Sequence, residues 1–371
     1  MSVYFKDGTA TDTAYDISGN VLLSAFDLEK NDLLSGLDDI VPGRLLVWHD
    51  EFDGDTVDSQ KWEHLYGYYP SYRYYMHQDN LSHNAFCQDG NLHYNNIKDS
   101  DMPLTDWTGA FIWTNNLFEF RYGLIEAKMK FPDNPVYHST LWTMGAEYDR
   151  ICSPNEIFDA SKGLLWATCG EIDIAEADNG TVTTTKHWAD NLETNHHTSG
   201  GTATVTTDAS NWHIYGCEWT EDYIKIYCDR VLKGTFAVSD ADVGSFNAFR
   251  RPHFLMFNQL PQLNGIQAET ELETQVAWVR IYAPVGVKNI IPDTALTLDS
   301  ASLSMSVGGT HLLTGLFTPS NPTDMTLTWT SSNPSVAIVY GGKVTALASG
   351  TATITATTKN GHTATCTVNV T

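Results

Sequence analysis

Alternation of apolar and polar side chains recurs along this chain and leaves little room for anything but β-structure. Residues 123–131 (Gly-Leu-Ile-Glu-Ala-Lys-Met-Lys-Phe), 224–228 (Ile-Lys-Ile-Tyr-Cys) and 276–282 (Val-Ala-Trp-Val-Arg-Ile-Tyr) switch with period two. Successive side chains of a strand point to opposite faces, so this period marks antiparallel strands with one buried face. Many such strands, with Gly, Asn and Asp turns between them and few helical stretches, predict an all-β sandwich of the jelly-roll kind. No run of about eighteen apolar residues occurs, so no membrane span is expected.

Charge divides the chain. The 371 residues carry 45 acidic and 21 basic side chains, a net charge of −24. From residue 286 onward, Lys288, Lys343 and Lys359 cancel Asp293, Asp299 and Asp324, so the acidic excess lies before that point. The contrast, with Pro284 and Pro292 bracketing a linker, predicts a boundary there. The expected units are a leader of unknown role over 1–43, a large β-domain over 44–285 and a small β-module over 286–371. In the leader, 16–22 reads as a strand or hairpin and 25–37 as a short helix. An acidic surface repels phosphate backbones and sulfated polymers, so nucleic acid is excluded as a partner and a neutral polymer is favoured.

None of the six cysteines, at 87, 152, 169, 217, 228 and 366, shows CxxC spacing, and no zinc site is expected. Cys217 and Cys228 flank a hairpin and could face one another, or all six could be small buried residues. The start, Met-Ser-Val-Tyr-Phe-Lys-Asp, has no basic and then apolar stretch of the signal-peptide type.

The chemistry is concentrated in residues 170–176, Gly-Glu-Ile-Asp-Ile-Ala-Glu. Glu171 and Asp173 share a strand face, whereas Glu176, five residues from Glu171, would point the other way. A one-residue bulge near Ala175 would return it to the same side. Ile172 and Ile174 alternate with the acids, so one face is core and the other is lined with carboxylates. Acids at three fixed positions arise by chance on the order of once in ten chains of this length, so the run needs its context. Cleaving a glycosidic bond requires a proton donor and a nucleophile or base, and two carboxylates supply them. A third holds their protonation states apart. The competing reading, a divalent-cation site, requires oxygen ligands on a short Gly-containing loop, which a strand does not supply.

With its flanks, the segment 166–176 (Trp-Ala-Thr-Cys-Gly-Glu-Ile-Asp-Ile-Ala-Glu) resembles the signature of glycoside hydrolase family 16, in its laminarinase (endo-β-1,3-glucanase) branch. Residues 47–54, 84–92, 122–128, 215–220 and 279–282 resemble further landmarks of that family in the same order. The resemblance covers about 44–284. It implies a concanavalin-like jelly roll and a retaining endo-hydrolase of neutral β-1,3-glucan, extending to mixed β-1,3/1,4-glucan. By position it makes Glu171 the nucleophile, Glu176 the general acid/base and Asp173 the assisting acid. Trp166, His187, Asn84 and Trp142 become candidate substrate contacts, Trp142 being equally readable as core.

Three departures bear on the substrate. Residues 138–142 read His-Ser-Thr-Leu-Trp where the family usually carries Trp-Pro-Ala-Phe-Trp. Asn258 opens a stretch that replaces a Gly-Gly-x-Trp segment, and 146–165 is long enough for an extra cleft loop. An agarase-like or other β-galactan hydrolase, or a sugar-binding surface protein without activity, are the alternatives. No cofactor or metal is expected, because Ala277 stands where the family often has an Asp ligand to a structural calcium. Residues 327–333, 342–346 and 350–356 resemble a bacterial immunoglobulin-like domain of group 2, with Trp329 as its core tryptophan. That resemblance implies an attachment or spacer module, and the whole implies a protein that works outside the cell or at its surface.

Overall fold

Each alternating segment is a strand, and its alternation is an alternation of burial. In Tyr223–Cys228, Ile224, Ile226 and Cys228 are buried while Tyr223, Lys225 and Tyr227 remain half-exposed. The computed structural model describes residues 4–5, 13–15, 21–24, 37, 39–41, 44–65, 67–69, 74–76, 84–98, 107–132, 137–148, 165–178, 180–192, 194–244, 246–261, 272–287 and 290–371. The helix expected over 25–37 and most of the expected loop over 146–165 lie outside these residues. The leader contributes a three-stranded antiparallel sheet of Tyr4–Phe5, Thr13–Tyr15 and Val21–Ser24.

Two antiparallel sheets make the large domain. One runs in the order Glu63–His64, Trp107–Trp113, His253–Pro261, Tyr137–Gly145, Glu171–Asp178, Thr181–Asn191, His196–Thr206. The other runs Val231–Ala237, Tyr223–Cys228, His213–Trp219, Gly123–Lys130, Leu272–Tyr282. Its last strand then pairs with Leu46–Asp50 along one half and Asn91–Lys98 along the other. Trp107–Trp113 pairs in both sheets, first with Asn91–Lys98 and then with His253–Pro261, so the sandwich is nearly closed on that side. Ile125, Ala127 and Met129 of one sheet meet Ile172, Ile174, Leu255 and Phe257 of the other in one buried core. Burying each of the larger side chains contributes about 1.5–3 kcal/mol.

The register sets Cys217 opposite Ile226 and Cys228 opposite Tyr215, so the two cysteines do not face each other. Both are free and buried, as the alternative reading had it. Among the described residues no helix is long and apolar enough to cross a membrane.

The C-terminal module pairs Ala295–Leu298 with Gly315–Thr318, and builds sheets from Leu327–Ser331, Gly350–Thr358, Thr363–Val370 and Ser302–Met305, and from Thr310–Leu312, Lys343–Ala346 and Ala337–Tyr340. Its core is Val344, Ile354, Val368 and neighbours, with Trp329 packed against it. The module abuts the large domain. Met325 N–H donates to the Glu119 carbonyl, Glu119 N–H donates to Thr326 Oγ1, and Arg251 bridges Glu147 and Thr314. A Cβ on Gly341 would lie 2.6 Å from the Glu147 carbonyl oxygen, so a side chain there has no room. A cavity of about 520 Å³ opens at this seam between Tyr122, Arg250, Leu316 and Trp329, and none of the three acids of 171–176 lines it.

Candidate active site

Local backbone geometry aims the acids. The short helix Trp166–Cys169 ends at Gly170, whose φ of +79° turns the chain into the strand Glu171–Asp178. On one side of that strand Asp173 pairs with Trp142 and Ala175 with Leu141; on the other, Asp173 pairs with Thr185 and Glu176 with Thr183. Ile174 and Ala175 thus oppose a single residue. This is a β-bulge, and both bulge residues turn into the core with 0% exposure. Glu176 returns to the face of Glu171 and Asp173, as its spacing requires if all three are to act together.

Neighbouring strands furnish that face. His187 lies opposite Glu171, and its Nε2 is 3.1 Å from Asp173 Oδ2 and 4.0 Å from Glu171 Oε1. Its Nδ1 is 2.9 Å from His197 Nε2. The Trp166 indole N–H donates to Glu171 Oε2, and its ring centroid lies 4.4 Å from that of His197. Trp142 is half-buried on the acid-bearing side, donates to Asn258 Oδ1 at 2.6 Å, and packs on an apolar layer of Phe111, Met144, Phe254 and Met256. Trp142 is thus fixed by packing and faces the same side as the acids. Glu176 Oε1 lies 3.3 Å from His138 Nε2.

Six of the seven residues singled out in the sequence come together here. Asn84 is 1% exposed, its amide donates to the Asn95 carbonyl at 3.2 Å, and among the described residues it makes no hydrogen bond to the acids. His138, His197 and Asn258 join the site without having been singled out. Two of them sit where the sequence departs from the family pattern, which was the available signal.

Burial, then the charges of Asp173 and Glu176, push the Glu171 carboxyl well above the usual range, and the Trp166 N–H opposes them. Burial, then Asp173, raises Glu176 to about 7, with His187 pulling it down. A proton on Glu176 removes one of the charges that disfavour ionised Glu171. Two carboxyls that both resist ionisation, one of them held by an indole N–H, can divide the donor and nucleophile roles between them.

Glu171, Asp173 and His187 each bring one ligand atom within 4.8 Å of the others, so a cation fits them geometrically. His213, Cys228 and Asp229 also cluster. There both imidazole nitrogens are engaged, by Asp229 and the Asp208 carbonyl, and burial pushes the thiol up to about 11, a poor donor set. Ala277, at the position where the family often has an Asp ligand to a structural calcium, sits at a bulge beside Trp278 and offers a methyl group.

Residues 80–280 match Glycosyl hydrolases family 16, and 293–368 match Bacterial Ig-like domain (group 2). Glucan endo-1,3-beta-glucosidase A1 of Niallia circulans is 27% identical over 66% of this chain, which spans 39% of that protein. The keratan-sulfate endo-1,4-beta-galactosidase of Sphingobacterium multivorum is 25% identical over 64% of this chain, which spans 54% of that protein. Among solved structures, the catalytic domain of an endo-1,3-beta-glucanase (laminarinase) from Thermotoga petrophila superposes with a TM-score of 0.52 at 27% identity. The match covers 66% of this chain and 99% of that one.

Proposed function

This chain belongs to glycosyl hydrolase family 16, and from that premise we propose that it cuts internal β-1,3 linkages of a neutral glucan by double displacement, with net retention. The observation that carries the reading is the bulge that turns Glu171, Asp173 and Glu176 onto one face, with Glu176 raised to about 7. In the first step the Glu171 carboxylate attacks the anomeric carbon while Glu176 gives its proton to the departing glycosidic oxygen. A glycosyl ester forms and the C–O bond breaks. In the second step the Glu176 carboxylate takes a proton from water, whose oxygen attacks the anomeric carbon and frees Glu171. An acid near pH 7 suits both roles. Asp173, between them, disfavours double ionisation of its neighbours. Trp166 and Trp142 supply ring faces for sugar stacking. The net charge of −24 agrees with an uncharged substrate.

A β-galactan substrate is the second reading. It is favoured by His138 in place of the family's tryptophan and by the galactosidase relative. Incubation with laminarin, barley mixed-linkage glucan, lichenan, agarose and carrageenan, with products resolved by size, separates the two. Oligosaccharides from laminarin are expected. Products from agarose alone would replace glucan with galactan, and binding without products from any polymer would overturn hydrolysis.

A further inference from the structure

The mechanism above leaves His138 unused, although the fold brings it to the acid/base. It lies on Tyr137–Gly145, in register with Asp178 on the neighbouring strand, while Thr140 is in register with Glu176. From that diagonal position its Nε2 comes within 3.3 Å of Glu176 Oε1. Both side chains are only partly exposed, 20% for His138 and 27% for Glu176, so the contact is shielded and the remainder of each opens outward. Where the family pattern has an indole, this chain places an imidazole whose ring nitrogen can touch a carboxyl.

We propose that His138 is a positioning residue for Glu176: its Nε2–H engages Oε1 and leaves Oε2 free to hand the proton to the glycosidic oxygen. The proposal rests on Glu176 being the acid/base. Among the described residues, the charged and titratable groups facing Glu176 are Glu171, Asp173 and Asp178 on its own strand, His187 on one neighbouring strand and His138 on the other. Asp173, Asp178 and His187 shift the Glu176 carboxyl by their charge. Burial lowers the His138 pKa, against the pull of Asp173 and Asp178, which keeps the ring neutral near pH 7. A neutral ring fixes the direction of the carboxyl without the strong bias towards ionisation that an imidazolium would bring. Contacts of this kind are often long without substrate and tighten in the Michaelis complex.

The test compares leaving groups. Glycosylation of the enzyme by laminarin needs the proton from Glu176; by 2,4-dinitrophenyl β-laminaribioside it does not, because dinitrophenolate leaves unaided. In the full chain, His138→Phe is expected to lower kcat/KM for laminarin about ten- to a hundredfold, a fraction of what general acid catalysis supplies. It should change kcat/KM for the aryl glycoside less than about threefold. His138→Gln, which keeps an N–H near the same place, should recover most of the loss. Equal losses on both substrates, or a Gln variant no better than Phe, would overturn the proposal. Glu176→Ala, run alongside, reports on the underlying reading. Retained aryl-glycoside cleavage with azide accelerating turnover upholds it, whatever His138 does. No difference between the two substrates in Glu176→Ala would remove the acid/base assignment itself.

Discussion

At Glu171 two opposed effects set the charge state. Burial and the neighbouring carboxyls disfavour the anion, and the Trp166 N–H favours it. A hydrogen bond to a charged group contributes about 1.5–3 kcal/mol. Replacing Trp166 by Phe keeps an aromatic ring and removes the donor. The Glu171 carboxyl then rises further, so the acidic limb of the kcat/KM profile, below which the nucleophile is protonated, moves to higher pH. At neutral pH kcat/KM is expected to fall roughly ten- to a hundredfold. A pH profile with an unmoved acidic limb would show that Trp166 contributes only its ring face.

The strand and the turn before it explain what could be read in advance. Gly170 holds φ +79° and ψ 146°, a region open to glycine almost alone, and a Cβ there would meet that of Ala248 at 2.6 Å. Gly170→Ala therefore combines backbone strain with overpacking, each about 1–3 kcal/mol. Urea unfolding should show a loss of at least about 2 kcal/mol, and activity should fall beyond what the folded fraction explains, since Trp166 and Glu171 flank the turn. The bulge was legible because the spacing of Glu171, Asp173 and Glu176 permits one face in no other way, and Ile174 and Ala175 are both small or apolar enough for the core. His138 beside Glu176 and His197 beside His187 were not legible. They depend on the register between strands, which alternation alone does not fix. Cys217 and Cys228 were ambiguous for the same reason, and the observed register decides their case.

On the scale of the molecule, the seam between the two domains buries an acid. Glu119 is 4% exposed; its carboxyl accepts from the Asn116 and Leu327 N–H groups, and its own backbone is tied to Met325 and Thr326 of the module. Burial, with smaller contributions from Asp324 and Glu147, outweighs those donors and raises its pKa from 4.5 to about 8. Asp324, across the seam, is also raised, by burial first. Below about pH 4.5 Glu119 is protonated whether the chain is folded or not, and its burial as a neutral acid carries no ionisation penalty. Between there and pH 8 the unfolded chain releases the proton while the folded chain keeps it, so stability falls by up to about 1.4 kcal/mol per pH unit. Above pH 8 both states are ionised and the slope ends. Glu119→Gln keeps the shape and removes the titration. Thermal unfolding of the full chain at pH 5, 6.5 and 8 should show the variant gaining on the parent as pH rises. Parallel curves across that range would mean that the seam opens or hydrates enough to let Glu119 titrate normally. In that case the module is tethered rather than docked. A docked module makes the seam part of the folded unit, and the stability lost as pH rises towards 8 is then lost where the two domains meet.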